Sequence, residues 1–188
     1  MSLLAFCEWL AATQGSIALH ESLYMYPLVE SVHVLALCLF VGLATILDLR
    51  LLGKVLRGVP VSQVADRLLP WTIGGFIVMV ITGSLLFYAI PIRTYQSVWF
   101  RGKVIFLILA GLNVWIFHSG IYKRVTGWDM DERTPWPARR AGLASLVLWA
   151  LIIVFGRFIA YNWFDCDIQP QSDFVNWFAG CVIPPPAP

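Results

Sequence analysis

The sequence predicts an all-α integral membrane protein, a bundle of four transmembrane helices with an N-terminal interfacial helix and a short extracytoplasmic C-terminal tail. Hydrophobic residues make up 59% of the 188-residue chain and charged residues 13%, a balance far from that of a soluble domain. Several segments also reach the roughly 20 mainly apolar residues that a helix needs to cross a bilayer. The basic residues collect in two loops, which indicates a fixed orientation.

The first 26 residues are predicted to form an interfacial segment, 1–26. Their apolar stretch is interrupted by Glu8 and Gln14 and lacks a basic start, so it matches neither a signal peptide nor a span. Trp9 favours a helix that lies in the membrane interface.

The membrane bundle is predicted over residues 27–164. Its spans are expected at about 27–47, 70–90, 104–122 and 141–164. The second has no charged residue between Arg67 and Arg93, whereas the first contains Glu30 and His33 and the fourth contains Arg157. Ionisable groups inside a bilayer usually face the bundle interior. These exceptions are therefore candidates for a site.

Basic residues concentrate after the first and third spans, where they are Arg50, Lys54, Arg57, Arg67, Lys123, Arg124, Arg133, Arg139 and Arg140. The positive-inside rule makes these loops cytoplasmic. We therefore predict a multi-pass protein of the bacterial inner membrane with both termini in the periplasm. The acidic residues Asp129, Asp131 and Glu132 of the second inner loop are predicted to be solvated. A net charge of +2 indicates no nucleic acid partner.

The tail, 165–188, is predicted to lie in the periplasm. Cys166 and Cys181 would form a disulfide there if that compartment oxidises them, and the alternative leaves both thiols free. The proline-rich end, 183–188, is expected to be extended.

Four polar residues are predicted to lie in the outer half of the bundle. At about 1.5 Å per residue, His33 lies roughly 9 Å inside the outer end of the first span. Glu30 is one turn further out, Arg157 lies at a similar level on the fourth span, and Lys103 begins the third span on the same side. We therefore predict a polar cluster of Glu30, His33, Lys103 and Arg157.

This cluster has two interpretations. In the first, Glu30 and Arg157 form an ion pair that fixes helix packing, with His33 hydrogen-bonded beside it. In the second, His33 is an axial ligand of haem b, and Lys103 or Arg157 binds the haem propionates, because imidazole is a common axial ligand and cations neutralise carboxylates.

The other histidines leave the number of haems open. His118 lies near the cytoplasmic end of the third span, so it is not level with His33. Either each face holds a haem with one known histidine, or one haem is bound by His33 and by His20, folded back from the interface. His118 also fits a snorkelling residue at a helix end.

Small residues recur on one face of the second span. Gly75, Met79 and Gly83 are spaced by four residues, and Gly111 lies on the third span. Such spacing suits a flat cofactor, but it is more typical of close packing between membrane helices.

Several motifs resemble a widespread family of bacterial four-helix membrane proteins. They are YPLVESVHVLALCLFVG (26–42), LDLRLLG (47–53), LLPWTIGGF (68–76), FRGKVIFLILAGLNVWIFH (100–118) and GRFIAY (156–161). A more distant similarity is to HemJ-type protoporphyrinogen oxidases and CopD-type copper proteins. That similarity implies roles for His33 and Lys103, whereas Asn113 stands near the place of the later histidine in HemJ-type sequences.

We expect a haem-b membrane subunit that transfers electrons between a periplasmic redox partner and quinone or another membrane redox protein. His33 and His118 are its candidate metal ligands. The alternatives are a cofactor-free accessory subunit of a membrane complex and a HemJ-like porphyrinogen oxidase or copper-handling protein. The motifs of soluble nucleotide-binding, zinc and thiol enzymes are missing, which favours an electron-transfer or accessory subunit over a complete enzyme.

Overall fold

A computed structural model describes residues 2–161 and 163–182, and it is all-helical over those residues. The helices are α1 (Leu3–Ala11), α2 (Gln14–Glu21), α3 (Met25–Leu51), α4 (Val61–Ala89), α5 (Pro91–Tyr95), α6 (Val98–Ile116), α7 (Trp136–Phe158) and α8 (Asp173–Ala179). A π-helical turn, Phe117–Ile121, and a 3₁₀ turn, Tyr122–Gly127, extend α6. The predicted all-α fold is confirmed.

Four helices in the described residues are long and apolar enough to cross a membrane: α3, α4, α6 with its extension to Gly127, and α7. The chain is therefore a multi-pass membrane protein. The end of the bundle where α3 begins and α4 ends is called the His33 end. The opposite end, where α3 ends and α4 begins, is called the Arg50 end.

The helices extend beyond most of the predicted span boundaries, and two of the differences have an evident cause. Helix α4 begins at Val61 and contains Pro70, because a proline removes one N–H from the ladder without always ending the helix. Helix α7 ends at Phe158 rather than near residue 164. There the chain folds back, and the rings of Trp163 and Phe164 pack on Phe158 and Trp99.

The four long helices pack as two pairs. Helix α3 lies along α4, α6 lies along α7, and α3 crosses α7, whereas α4 and α6 have little backbone contact. At Gly75 an added Cβ would lie 3.3 Å from the backbone nitrogen of Phe40. Close packing is thus the role of this small residue.

An apolar core fills the middle of the bundle. It consists of Ala36, Phe40, Met79, Ala110, Trp149 and Ile152. The Phe40 and Trp149 rings meet edge to face with centroids 4.5 Å apart, a favourable aromatic geometry. This layer separates the polar groups of the two ends.

Arg50 joins the loops at its end of the bundle. Its side chain is 0% exposed, and its guanidinium donates to the carbonyl oxygens of Val59 at 2.9 Å, Asp131 at 3.3 Å and Asp129 at 3.5 Å. The sequence placed Arg50 among the basic residues of the loops. It is buried, because the two loops close over it.

The Asp129 carboxylate caps α4. It accepts hydrogen bonds from the Ser62 backbone nitrogen at 2.7 Å and from the Ser62 hydroxyl at 2.5 Å. A carboxylate stabilises a helix start by accepting free N–H groups. The prediction that Asp129 is merely solvated was therefore wrong, whereas Asp131 and Glu132 are exposed.

The N-terminal segment forms two short helices rather than one. Ser2 caps α1 and Thr13 caps α2. The Ser16 hydroxyl of α2 donates to the Tyr88 carbonyl oxygen at 2.7 Å, and the Thr13 and Tyr88 hydroxyls are 2.8 Å apart. These bonds fix α2 against the last turn of α4.

The tail is tied to the His33 end of the bundle. Cys166 and Cys181 form a disulfide, and Arg101 of α6 donates to the Phe178 carbonyl oxygen of α8 at 2.7 Å. The predicted extended end, 183–188, lies outside the described residues.

We expect Gly180→Ala to loosen α8. Gly180 has a φ of +69°, where a side chain costs roughly 1–2 kcal/mol, and its Cβ would lie 2.6 Å from Arg101 Nη2. Limited proteolysis of the purified protein should cut the tail faster than in the wild type. The control is Gly127→Ala, since nothing lies within 4 Å of that position. Equal cleavage in both variants would contradict this role.

Candidate functional site

His33 is held by a threonine of the neighbouring helix. Its Nδ1 lies 2.9 Å from the Thr82 hydroxyl oxygen. The single hydroxyl hydrogen of Thr82 is donated to the Val78 carbonyl oxygen at 2.7 Å, so Thr82 accepts from the imidazole. We therefore assign the proton to Nδ1, which leaves a lone pair on Nε2.

A glycine allows the imidazole to lie close to α4. A Cβ added at Gly83 would be 3.2 Å from His33 Cε1, which is tight for any side chain. Thr82 and Gly83 together set the position and the orientation of the ring, and this leaves the ring little freedom to rotate.

Two hydrogen-bond donors without acceptors lie between α6 and α7. An added Cβ on Gly156 would be 3.4 Å from Lys103 Nζ, and no described residue accepts a hydrogen bond from this ammonium group. One turn earlier on α6, the buried Trp99 Nε1 also has no partner among the described residues. Its ring packs on Phe155 at 5.2 Å. Since buried donors normally find acceptors, the Trp99 indole N–H is suited to an acceptor from outside the chain, and Lys103, one turn away, offers a positive charge.

Lys103 is also an electrostatic neighbour of the His33 ring. Of the other three residues predicted to cluster, Lys103 and Glu30 interact electrostatically with His33. The imidazole comes from α3 and the ammonium group from α6, so the site joins the two helix pairs.

Glu30 and Arg157 are not paired with each other. Both are exposed, and the Arg157 guanidinium lies 5.5 Å from the centroid of the Tyr161 ring. Among the described residues the ion pair is the one between Arg93 and Asp165. The predicted ion pair of Glu30 with Arg157 is therefore not formed, because Arg157 turns towards an aromatic ring on its own side of the bundle.

His118 lies on the π-helical turn at the Arg50 end. Its Nδ1 donates to the Val114 carbonyl oxygen at 3.0 Å, and its exposed ring lies beside Phe117 and Tyr122. The apolar core separates it from His33. The described residues contain no group of three or more His, Cys, Asp or Glu side chains that is arranged to hold a metal ion.

His20 lies on α2, at the His33 end. It lines a cleft with Ala89 and Pro91, and in the described residues no hydrogen bond or ring contact joins it to His33. The structure thus brings neither His20 nor His118 to the imidazole of His33.

An ion pair borders this cleft. Arg93 Nε lies 3.2 Å from Asp165 Oδ2. Burial raises the pKa of Asp165, and its hydrogen bond and charge interaction with Arg93 partly offset that effect. Asp165 belongs to the tail, so the pair also ties the tail to α5.

Comparison with known proteins identifies the family of the chain. Residues 6–162 match a family described as a family of unknown function, DUF6644. The chain belongs to this family. No curated protein and no solved structure matches it. The DUF6644 match contains His33, Thr82, Trp99 and Lys103, whereas the disulfide of the tail lies beyond it.

Sequence reasoning missed a buried polar group at the Arg50 end. Asp48 is 7% exposed, and its Oδ2 has no partner among the described residues. Its neighbours are Ser145 and Gly142 of α7. The charged residues of the LDLRLLG motif were a signal, but they were assigned to a loop.

Proposed function

We propose that this DUF6644 protein is a haem-b-binding membrane subunit that passes electrons between a periplasmic redox partner and quinone or another membrane redox protein. The observation that carries the proposal is the hydrogen bond of His33 Nδ1 to Thr82, which leaves the Nε2 lone pair free. Histidines that bind metals usually donate their other ring N–H to such a partner, which fixes the tautomer and the ring orientation.

His33 would bind the haem iron through Nε2. The ring is half-buried in an apolar bundle, where water has little access to a bound iron. His118 is at the opposite end and His20 has no contact with His33, so the proposal involves one haem with one histidine from this chain.

Lys103 and Trp99 are suited to bind the propionate groups at the edge of a haem. A propionate would accept from the ammonium group and from the indole N–H, and charge-assisted hydrogen bonds of this kind are the stronger ones. Both donors have no acceptor in the described residues, and this is the second support for a carboxylate-bearing ligand. When bound, the haem would supply one-electron redox chemistry.

The seam between α4 and α6 suits a flat group that enters from the membrane. These helices have little backbone contact. Near the His33 end they meet through the stacked rings of Phe87 and Phe100, with centroids 5.5 Å apart. Two side chains separate more readily than two tightly packed backbones.

The deciding experiment is a reduced-minus-oxidised visible spectrum of the purified protein. We expect a Soret band and an α band with about one haem per chain. A preparation that has no such bands, even after expression with added haem precursor, would rule out the proposal.

A cofactor-free accessory subunit is the second candidate. It is favoured by α8, whose Phe174 and Trp177 side chains are 65% and 74% exposed. Exposed aromatic residues on a fixed helix are typical of an interaction surface. For this candidate, the same spectrum is expected to have no haem bands.

A HemJ-like oxidase or a copper-handling protein has less support. Asn113, near the position of the later histidine in HemJ-type sequences, donates from Nδ2 to the Ala141 carbonyl oxygen at 3.0 Å. That bond uses the amide for packing α6 against α7. Copper analysis and a porphyrinogen oxidation assay would test these activities directly.

We expect Thr82→Val to weaken haem retention by roughly tenfold. Valine keeps the size of the side chain but does not accept the hydrogen bond from His33 Nδ1, so the ring loses its fixed orientation. The measurement is the rate of haem transfer from the purified protein to an excess of apomyoglobin. Ser84→Ala is the control, because Ser84 is exposed and bonds its own helix. Equal rates in Thr82→Val and the wild type would contradict the role of Thr82.

A further inference from the structure

A cleft of about 420 Å³ lies at the His33 end, between α2 and the junction of α4 with α5. Its apolar wall includes Ile17, Ala89, Ile90 and Pro91. Small-molecule sites have volumes of this order and mostly apolar linings. The hydrogen bond of Ser16 to the Tyr88 carbonyl oxygen holds α2 in place, so the cleft is already formed without a ligand.

Two polar side chains of the cleft are able to accept a hydrogen bond. His20 and Glu21 line it, and neither has a hydrogen-bond partner among the described residues. An imidazole nitrogen and a carboxylate both accept from hydroxyl groups. The Arg93 guanidinium also borders the cleft, but it is engaged by Asp165 at 3.2 Å.

This distribution favours a neutral hydroxyl donor over an anion. A phosphate or a carboxylate would meet the negative charge of Glu21, whereas the nearby cation is already neutralised. A ligand with hydroxyl groups on an apolar ring would donate hydrogen bonds to these acceptors and pack its ring against the apolar wall of the cleft.

The position of the cleft indicates where the ligand comes from. Helix α4 ends at Ala89, which lines the cleft, so the opening lies where the membrane-spanning part of the bundle ends. An amphipathic ligand dissolved in the bilayer would reach the cleft with its polar ring at the membrane interface and its apolar tail in the lipid.

We propose that this cleft binds the headgroup of a quinol, with the two ring hydroxyls donating to His20 and Glu21. The inference deepens the proposed function, because it assigns the site of its quinone partner. Binding itself does not require the haem, so the two proposals are separable.

The test is binding of a short-tailed benzoquinol to the protein in phosphatidylcholine nanodiscs, measured without oxygen by quenching of tryptophan fluorescence. Glu21→Ala and His20→Ala should each weaken binding roughly fivefold, the effect of one lost hydrogen bond. Ile17→Trp should abolish binding by filling the cleft, and Ile17 is exposed enough to accept the larger ring. The control is Glu8→Ala, an exposed acidic residue of α1, which should bind as the wild type does.

Unchanged affinity in the cleft variants would overturn the proposal, as would an equal loss in Glu8→Ala. Displacement of the quinol from the wild type by added phosphatidylglycerol would also overturn it and make the cleft a lipid site. The haem spectrum of each variant separates the proposals. Quinol binding without haem bands refutes only the proposed function, and haem bands without quinol binding refute only the cleft.

Discussion

His33→Ala is expected to remove the haem bands from the purified protein entirely. Alanine offers no donor atom to iron, and the structure brings no other histidine to the position of the imidazole. The variant should fold, because His33 is half-buried and its removal breaks one side-chain hydrogen bond, the one to Thr82. The readout is the reduced-minus-oxidised spectrum, normalised to protein and compared at equal yield from membranes.

His118→Ala is the matched control for that experiment. Its imidazole is exposed and bonds the carbonyl oxygen of Val114, one turn before it, so the haem content should match that of the wild type. Loss of haem in His118→Ala with retention in His33→Ala would place the site at the Arg50 end and contradict the proposal. Addition of imidazole to His33→Ala should restore part of the spectrum, because a free imidazole can replace the missing ligand.

Arg50→Ala is expected to lower the free energy of unfolding by about 3–5 kcal/mol, because each hydrogen bond to a charged group contributes roughly 1.5–3 kcal/mol and the desolvation cost of the guanidinium offsets part of that sum. The fully buried guanidinium donates to three loop carbonyl oxygens. In the variant these buried acceptors would have no hydrogen-bond donor. One guanidinium nitrogen, Nη1, has no partner among the described residues, so part of the desolvation cost is already present in the native protein. The measurement is thermal unfolding in detergent, followed by circular dichroism.

Arg57→Ala is the control for Arg50. Arg57 is exposed, and its Nε donates to the nearby Gly53 carbonyl oxygen, so its loss should cost little. Arg50→Lys should remain nearly as unstable as Arg50→Ala, because an ammonium group does not reproduce the planar arrangement of donors. If Arg50→Ala unfolds at the same temperature as the wild type, the loops are held by other contacts.

The two ends of the bundle differ in what their buried polar groups do. At the Arg50 end, Arg50 and Asp129 join loops and cap a helix, so their hydrogen bonds mainly stabilise the fold. At the His33 end, the Nε2 of His33, the ammonium group of Lys103 and the indole N–H of Trp99 have no acceptor or donor partners among the described residues. Of these three groups, the indole N–H is a buried one without a partner, and the Arg50 end has such atoms as well, in Asp48 Oδ2 and Arg50 Nη1. The case for a ligand at the His33 end therefore rests on the chemistry of its three groups and not on their lack of partners alone.

Local signals in the sequence predicted much of the architecture. Apolar length and the distribution of basic residues located the four spans, because crossing hydrocarbon requires a continuous run of apolar residues. His33 and Lys103 could also be identified from the sequence, because ionisable residues are rare within or beside such an apolar run. The close pairing of Cys166 with Cys181 was also within reach, because one short loop contains both.

The partners of these residues were decided only by the tertiary structure. Thr82 is 49 residues from His33, and Arg50 reaches carbonyl oxygens 79 and 81 residues away. Which polar groups meet depends on the rotation of each helix about its axis and on the path of the loops. Hydropathy along the chain indicates how deep a residue lies but not the neighbour that it faces, which is why Glu30 and Arg157, predicted at a similar level, do not form an ion pair.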